Sequence, residues 1–250
     1  MLIKEELYID VYDTYRTMHI YLPDDIGDEE RLEVIYMFDG HNLYLDEDAT
    51  YGTSWGLMED LSKLNARVMI VGIECNHEGN MRLSEFSPYN FEDPYFGYVK
   101  GMGKELFKWI VNTLKPYIDE HYPTLKERKY TSIGGSSMGG LMALYGGIAY
   151  SEVFSKALCI SPYVYYVSKN LVGDIRRKEI LNDTRFYVSF GSEEVNSKRG
   201  LVSYVNELFK VQRKLNEKAL IYMHIYKGRH HCEAAWRKET PVWYKELHYL

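Results

Sequence analysis

Apolar and polar residues alternate along residues 7–23, LYIDVYDTYRTMHIYLP, which predicts an antiparallel pair of strands. Six short apolar runs rich in β-branched residues follow, separated by stretches with helical periodicity. The apolar runs span residues 32–38, 66–73, 129–135, 155–161, 184–190 and 219–226, and the helical stretches span residues 54–64, 97–120, 138–149, 198–217 and 233–248. Buried strands alternating with helices are typical of a parallel sheet covered on both faces. We therefore predict an α/β fold with a mixed, mostly parallel sheet and helices on both faces.

Two segments, 74–97 and 162–183, do not fit this alternation of strand and helix. Both are long, polar and rich in aromatic residues, and part of 162–183 has a helical pattern. Long loops in α/β folds usually lie at the carboxyl ends of strands, so we expect both segments to shape the ligand site. The 250 residues contain no internal repeat and no linker rich in proline and serine, which predicts a single domain over 1–250.

Charge and composition restrict the class of partner. The net charge is −6, whereas nucleic-acid-binding surfaces are usually basic, and no apolar run approaches the ~18 residues typical of a membrane span. The N-terminal MLIKEELYID lacks the apolar core of a secretory signal, and the three cysteines are widely spaced, with no zinc-binding spacing among them. We expect a cytoplasmic protein with a small-molecule partner, and neither nucleic acid nor membrane as a partner; the oligomeric state is left open.

The stretch IGGSSMGGL (133–141) contains the pattern G-x-S-x-G with Ser137 at its centre. An apolar strand precedes it and an Ala/Leu/Gly-rich helix follows, which is the strand–turn–helix context of a nucleophile elbow. Ser136 does not fit the pattern, because the residue two positions later is Met138 rather than glycine. The loop has no lysine, which excludes a P-loop. The sequence therefore predicts Ser137 as a catalytic nucleophile.

A nucleophile elbow is the signature of the α/β-hydrolase fold, in which the catalytic triad has the chain order Ser, Asp or Glu, His. The acid should follow the last strand but one, where the sequence has Glu193 and Glu194 side by side. The base should follow the last strand, where His230 and His231 are adjacent. Neighbouring side chains point in different directions, so only one of each pair is expected to act, and the pattern alone does not choose.

Such a site also needs an oxyanion hole made of backbone N–H groups. One donor should be the residue after the nucleophile, Met138, and the other should come from the loop after an early central strand. That loop begins Asp-Gly at residue 39, so we predict the N–H of His41 or Asn42 as the second donor. His41 is also a rival candidate for the base, but its position before the nucleophile breaks the usual order.

The motifs YMFDGHNLY, IGGSSMGGL, FGSEE and HHCEAAW together resemble the putative esterase family, which includes esterase D-like enzymes, siderophore esterases, and acetyl- and feruloyl-esterases. The resemblance spans roughly residues 15–248. Members typically carry His-x-Glu-x-x-Trp, which here selects His231 over His230. The family acid lies three residues after the glycine that closes its strand, which selects Glu194 over Glu193. The resemblance thus implies a serine esterase with a Ser137–His231–Glu194 triad.

We expect a carboxylic ester hydrolase that needs no cofactor and no metal. The leading substrate is an acylated sugar or similar small ester, with an acetyl or aromatic acyl group, and aromatic residues such as Tyr163, Tyr165 and Trp236 could stack on it. Hydrolysis of siderophore esters or thioesters, or acyl transfer, is the alternative activity. A catalytically silent binding module is the alternative from another class, against which the complete Ser, His and Glu set argues.

Overall fold

The alternating residues at the start of the chain form two antiparallel strands at one edge of a large sheet, in a computed structural model that describes residues 1–249. Ten strands occur in the described chain. They are β1 (Leu2–Ile9), β2 (Thr14–Tyr21), β3 (Glu33–Phe38), β4 (Val68–Ile73), β5 (Phe91–Asp93), β6 (Gly97–Val99), β7 (Thr131–Ser136), β8 (Lys156–Ile160), β9 (Arg185–Gly191) and β10 (Leu220–Tyr226).

Eight of these strands form one sheet in the order β1-β2-β4-β3-β7-β8-β9-β10. The first two strands and the β2–β4 pair are antiparallel, and every other neighbouring pair is parallel. The prediction of a mixed, mostly parallel sheet is therefore confirmed. Parallel strands end at the same edge of a sheet, so the segments that follow β3, β4, β7, β9 and β10 emerge together.

Burial explains why the central strands read as continuous apolar runs. Every residue of β4, β7 and β8 is buried, because helices cover both faces of the sheet there. The edge strand β1 instead alternates between exposed and half-buried residues. The pattern that predicts each strand is thus set by how many of its faces are covered.

Helices pack on both faces of the sheet. They are α1 (Leu57–Lys63), α2 (Met81–Glu85), α3 (Gly103–Trp109), α4 (Lys115–His121), α5 (Met138–Ala149), α6 (Ser168–Arg177), α7 (Lys198–Leu215), α8 (Glu233–Arg237) and α9 (Thr240–His248). Alternate residues of β3 join two separate cores: Tyr36 belongs to the buried cluster that includes Leu141 of α5, whereas Met37 belongs to the cluster that includes Trp243 of α9. The prediction of helices on both faces is confirmed.

The structure departs from the predicted elements in three places. Segment 74–97 contains α2 and β5, and the helix predicted from residue 97 begins only at Gly103, because residues 97–99 pair with β5 as β6. A π-helical turn, Ile110–Leu114, joins α3 to α4. The helix predicted over 233–248 is two helices, and the second begins with Pro241 in its first turn, where proline is tolerated.

Among residues 1–249, no helix is both long enough and apolar enough to cross a membrane.

Candidate active site

Ser137 lies in the sharp turn between β7 and α5. Its backbone has φ +56° and ψ −119°, a region that a residue with a side chain rarely adopts and that costs free energy to maintain. The turn is also tight, because a Cβ on Gly135 would lie 2.7 Å from the carbonyl carbon of Gly139. The glycines on either side of the serine therefore permit the turn. Ser136, by contrast, is the last residue of β7.

Ser137 opens onto a pocket of about 160 Å³ at the carboxyl edge of the sheet. Its lining residues are mostly polar and come from five separate stretches of chain. The lining residues are Asp39, Asn42, Thr50, Tyr51, Arg82, Ser136, Ser137, His231, Glu233 and Trp236. Among them, Glu233 is buried, and burial together with the negative charge of Asp39 raises its pKa.

His231 and Glu194 meet at this pocket. His231 Nδ1 lies 2.8 Å from Glu194 Oε2, and the side chain of Glu194 is only 3% exposed while that of His231 is 40% exposed. Their sequence neighbours His230 and Glu193 are both exposed and lie outside the pocket lining. The chain therefore brings together the pair that the family resemblance selects.

Glu194 is fixed by further hydrogen bonds on its other oxygen. Oε1 accepts from the backbone N–H of Gly191 at 2.6 Å and from the hydroxyl of Ser161 at 2.6 Å. Ser161 Oγ in turn accepts from Trp236 Nε1 at 3.0 Å. A carboxylate that accepts several hydrogen bonds is held in one position, with Oε2 facing His231.

No hydrogen bond joins Ser137 to His231 among the described residues, although both line the pocket. The ring of His231 packs edge-on against Trp236, with 4.9 Å between centroids. Hydrogen bonds between nucleophile and base are often long without substrate and shorten in the reacting complex. The serine and the histidine thus line the same small pocket.

One of the two alternatives for the second oxyanion donor is already engaged in a backbone hydrogen bond. The N–H of Met138 is in the first turn of α5, where helix geometry leaves it without a helical acceptor. The N–H of Asn42 donates to the carbonyl of Asp39 at 2.9 Å, closing a 3₁₀ turn. The N–H of Asn42 is therefore not free to bind an oxyanion, although Asn42 lines the pocket. The N–H of His41 is the remaining candidate for the second donor.

Close packing holds the turn that carries this donor against the sheet. A Cβ on Gly40 would lie 2.4 Å from the carbonyl oxygen of Gly72 in β4, so only glycine fits. Arg82 of segment 74–97 makes a bidentate ion pair with the buried carboxylate of Asp39, with both N–O distances 2.6 Å. His41 is buried, and burial lowers its pKa to about 4. Its Nε2 faces Thr50 Oγ1 at 3.0 Å, and no carboxylate among residues 1–249 hydrogen-bonds its ring as a catalytic base requires.

Two of the three aromatic residues predicted to bind substrate are not among the residues that line the pocket. The hydroxyl of Tyr163 donates to Asp93, and Tyr165 stacks on Tyr204 with 5.7 Å between centroids, so both residues pack the protein and neither is part of the pocket lining. Trp236 does line the pocket, but it also supports Ser161 as described above. The Tyr163 hydroxyl and the Tyr165 ring already have protein partners, which argues against their stacking on substrate.

The segments 74–97 and 162–183 nevertheless adjoin the site. Segment 74–97 supplies Arg82 to the pocket, and the second segment begins beside the elbow, where the N–H of Tyr163 donates to the carbonyl of Ser137 at 3.0 Å. The segments also contact each other, since Phe91 and Tyr166 stack nearly parallel. Sequence reasoning missed Arg82 and Tyr51 as lining residues because nothing in their local pattern distinguishes them.

Replacing Ser161 with alanine is expected to lower kcat about 10- to 100-fold while changing KM little, because a hydrogen bond to a charged group is worth about 1.5–3 kcal/mol. Ser161 acts here as a positioning residue through Glu194. Trp236→Phe removes the donor to Ser161 but keeps an aromatic ring and the Ser161–Glu194 bond, so it should cost less. Steady-state kinetics with an unfolding scan decide: an unchanged kcat with only a lower Tm would show that Ser161 is merely structural.

Known proteins share this sequence pattern and fold. The family model described as "Putative esterase" matches residues 10–243. The uncharacterized protein YbbA of Bacillus subtilis (strain 168) is 26% identical over 209 residues, 81% of this chain and 79% of that protein. Among solved structures, the BES protein from Bacillus cereus superposes with a TM-score of 0.74 at 19% identity, covering 100% of this chain and 95% of that one. The siderophore hydrolase EstA from Aspergillus nidulans gives 0.74 at 16% identity, covering 98% and 95%.

At identities below 20%, the structural likeness shows the fold alone, and it is the fold predicted from the sequence. The family match carries more, because it extends over nearly the whole chain and includes the elbow, the acid loop and the base loop. The chain therefore belongs to the putative esterase family and is an ester hydrolase.

Proposed function

We propose that this esterase works through an acyl-enzyme, with Ser137 as nucleophile, His231 as general base and Glu194 as orienting acid. Ser137 Oγ attacks the ester carbonyl carbon while His231 takes its proton, and the N–H groups of Met138 and His41 stabilise the tetrahedral oxyanion. The bond to the alcohol then breaks and His231 protonates the departing oxygen. Water, deprotonated by His231, attacks the acyl carbon, and Ser137 leaves with its proton restored.

The observation that carries this proposal is the convergence of a strained serine and a carboxylate-bound histidine on one pocket. Glu194 accepts the Nδ1–H of His231, which leaves Nε2 as the basic nitrogen and stabilises the imidazolium that forms. A binding module has no use for backbone strain at Ser137 together with this pair. The 40% exposure of the His231 side chain leaves water access to the base, which favours hydrolysis over acyl transfer.

We infer that the natural substrate carries a short acyl group on a small, hydroxyl-rich alcohol such as a sugar. The pocket, about 160 Å³, is well below the about 300–1,000 Å³ of sites for drug-sized ligands, which favours acetyl over an aromatic acyl group. The side chains of Asp39, Asn42, Thr50, Arg82 and Glu233 give it many hydrogen-bonding groups. A siderophore ester is the second candidate, because a protein of the same fold is a siderophore hydrolase.

A panel of esters tests this proposal. We expect kcat/KM to fall about ten-fold or more from p-nitrophenyl acetate to butyrate and again to ferulate, since a misfitting methylene costs about 1–3 kcal/mol in a shaped pocket. Acetylated xylo-oligosaccharides should release acetate. Preference for the ferulate ester would overturn the acyl-group inference. Faster hydrolysis of a catecholate trilactone than of any acetate would instead select the siderophore candidate.

A matched pair of tyrosines tests whether the pocket rim selects the alcohol. Tyr51 lines the pocket and is 82% exposed, whereas Tyr95 is 88% exposed and lies outside the lining. Tyr51→Ala should lower turnover of acetylated oligosaccharide relative to p-nitrophenyl acetate by about 2- to 10-fold, the effect of losing a ring contact of about 0.5–1.5 kcal/mol. Tyr95→Ala should leave the ratio unchanged. Equal ratios in both variants would remove Tyr51 from substrate recognition.

A further inference from the structure

Three side chains with metal-binding atoms converge beside the active-site pocket. His41 lies in the turn after β3, and Cys75 and His77 lie in the segment after β4. One potential ligand atom from each residue lies within 4.8 Å of the other two. Because β3 and β4 are parallel neighbours, their carboxyl ends bring these residues together although 34 positions separate His41 from Cys75.

The outer nitrogens of both imidazoles are already held by neighbouring oxygen atoms. His77 Nε2 lies 2.8 Å from Glu74 Oε1, and His41 Nε2 lies 3.0 Å from Thr50 Oγ1. Histidines that bind metals almost always hydrogen-bond a carboxylate or another oxygen through the second nitrogen, which fixes the ring and frees the other nitrogen. Each ring here therefore has its Nδ1 available as a ligand.

One of these nitrogens is buried without a partner. His41 is only 5% exposed, and its Nδ1 has no hydrogen-bond partner among residues 1–249. A buried polar atom without a partner costs about 1–3 kcal/mol in general, so proteins rarely keep one without use. The rings of His41 and His77 lie edge-to-face with 4.6 Å between centroids, and an edge-to-face contact by itself leaves this nitrogen unpaired.

We propose that His41, Cys75 and His77 form a zinc-binding site. Thiolate sulfur and imidazole nitrogen are both ligands that Zn²⁺ binds well, and three protein ligands leave the fourth tetrahedral position for water. In a tetrahedral site the ligand atoms lie about 3.3–3.6 Å apart, as follows from Zn–N and Zn–S bonds of about 2.0–2.1 and 2.3 Å. The side chain of His77 is 52% exposed, so it is the ligand that can rotate to close this distance.

The surrounding charges suit a cation. Asp39 and Glu74 act electrostatically on His41, and Glu74 also lies 2.8 Å from His19 Nε2. Burial and the charge of Asp39 raise the pKa of the Cys75 thiol, so a bound cation is what would hold it as the thiolate. Arg82 acts in the opposite direction, and its guanidinium is paired with Asp39. Spacing among the three cysteines predicts no zinc site, whereas this set combines one cysteine with two histidines from separate loops.

Zinc at this position would join the turn that carries His41 to the segment after β4. The same turn contributes Asn42 to the pocket lining and carries the proposed oxyanion donor. Occupancy should therefore stiffen the oxyanion side of the pocket. The binding site itself does not depend on the proposed triad, so it can be tested apart from esterase activity.

The experiment uses the full chain without a polyhistidine tag, freed of metal with a chelator and titrated with Zn²⁺ by calorimetry. We expect one equivalent to bind, and Tm to rise by about 5 °C or more at a free zinc concentration 100 times Kd. Co²⁺ should bind at the same place and show thiolate-to-cobalt charge-transfer absorption, which reports the Cys75 ligand directly. This absorption is independent of turnover.

Matched variants make the outcome decisive. Cys75→Ser should abolish the charge-transfer band, and His77→Ala, at an exposed position that should not disturb folding, should weaken zinc binding at least 10-fold. Cys232→Ser and His121→Ala are the controls and should bind as the natural chain does, since both residues lie outside the cluster. No zinc binding up to millimolar concentration, or equal binding in Cys75→Ser and the natural chain, would overturn the proposal.

Discussion

Replacing Ser137 with alanine is expected to lower ester turnover about 10⁴- to 10⁶-fold, because the acyl-enzyme route then has no nucleophile. The residual rate would come from substrate binding and the oxyanion donors alone. The folded structure should persist, since alanine removes one hydroxyl and none of the backbone contacts of the elbow. The measurement is kcat/KM for p-nitrophenyl acetate, with circular dichroism and an unfolding scan to verify the fold.

Ser136→Ala is the matched control for this prediction. Ser136 also lines the pocket, but it is the last residue of β7 and has extended strand backbone rather than the positive φ of Ser137. The turn does not lift the Ser136 hydroxyl clear of the sheet as it does that of Ser137. Losing the Ser136 hydroxyl should therefore change turnover by less than about ten-fold, the effect of one ordinary hydrogen bond. A folded Ser137→Ala variant that retains activity would refute the proposed mechanism.

The parts of the fold that the sequence predicts are those set by local pattern. Six predicted strands agree with β3, β4, β7, β8, β9 and β10 to within about two residues, because a strand buried on both faces must be apolar throughout. The short pair β5 and β6 is missed, since three-residue strands carry too few positions for a period to be visible. What fixes that pair is contact with segment 162–183, through Asp93 and Tyr163.

The site, like the fold, has parts that the sequence predicts and parts that it does not. The elbow is visible in the sequence because its glycines, serine and flanking elements are contiguous. The chain of contacts from Trp236 through Ser161 to Glu194 is not, because Ser161 lies 33 positions from Glu194 and 75 positions from Trp236. Arg82, which holds Asp39 across 43 positions, is hidden for the same reason. Pairing of this kind is a tertiary property, and composition or periodicity in one window carries no sign of it.

The aromatic residues show where composition misleads. Tyrosine is abundant, with 24 residues, and the segments near the site are rich in it, which suggested a wall for stacking substrate. In the structure Tyr163 and Tyr165 instead bind other protein groups. A phenol ring offers both apolar area and a hydroxyl, so it serves well to fasten one long segment to another. The tyrosine that does reach the pocket, Tyr51, lies outside both of those segments.

The base and acid loops give the second large prediction. His231→Ala should lower turnover nearly as far as Ser137→Ala, and the double variant should lose little more, because residues that act as a unit are not additive. Glu194→Gln should cost about 10³- to 10⁴-fold, since an amide in place of the carboxylate Oε2 no longer stabilises the imidazolium and favours the wrong tautomer of His231.

The neighbouring pair supplies the controls, one residue away in each loop. His230 and Glu193 are exposed and lie outside the pocket lining, so His230→Ala and Glu193→Gln should each retain turnover within a few-fold of the natural chain. Glu193→Gln and Glu194→Gln make the same chemical change on adjacent residues, which removes any effect of net charge from the comparison. If Glu193→Gln proved the more damaging of the two, the acid would be misassigned and the 2.8 Å contact between Glu194 and His231 would be structural only. If His231→Ala stayed active while Ser137→Ala did not, another group would have to activate the serine. Glu233, a buried carboxyl group in the pocket lining, would then be the next residue to replace.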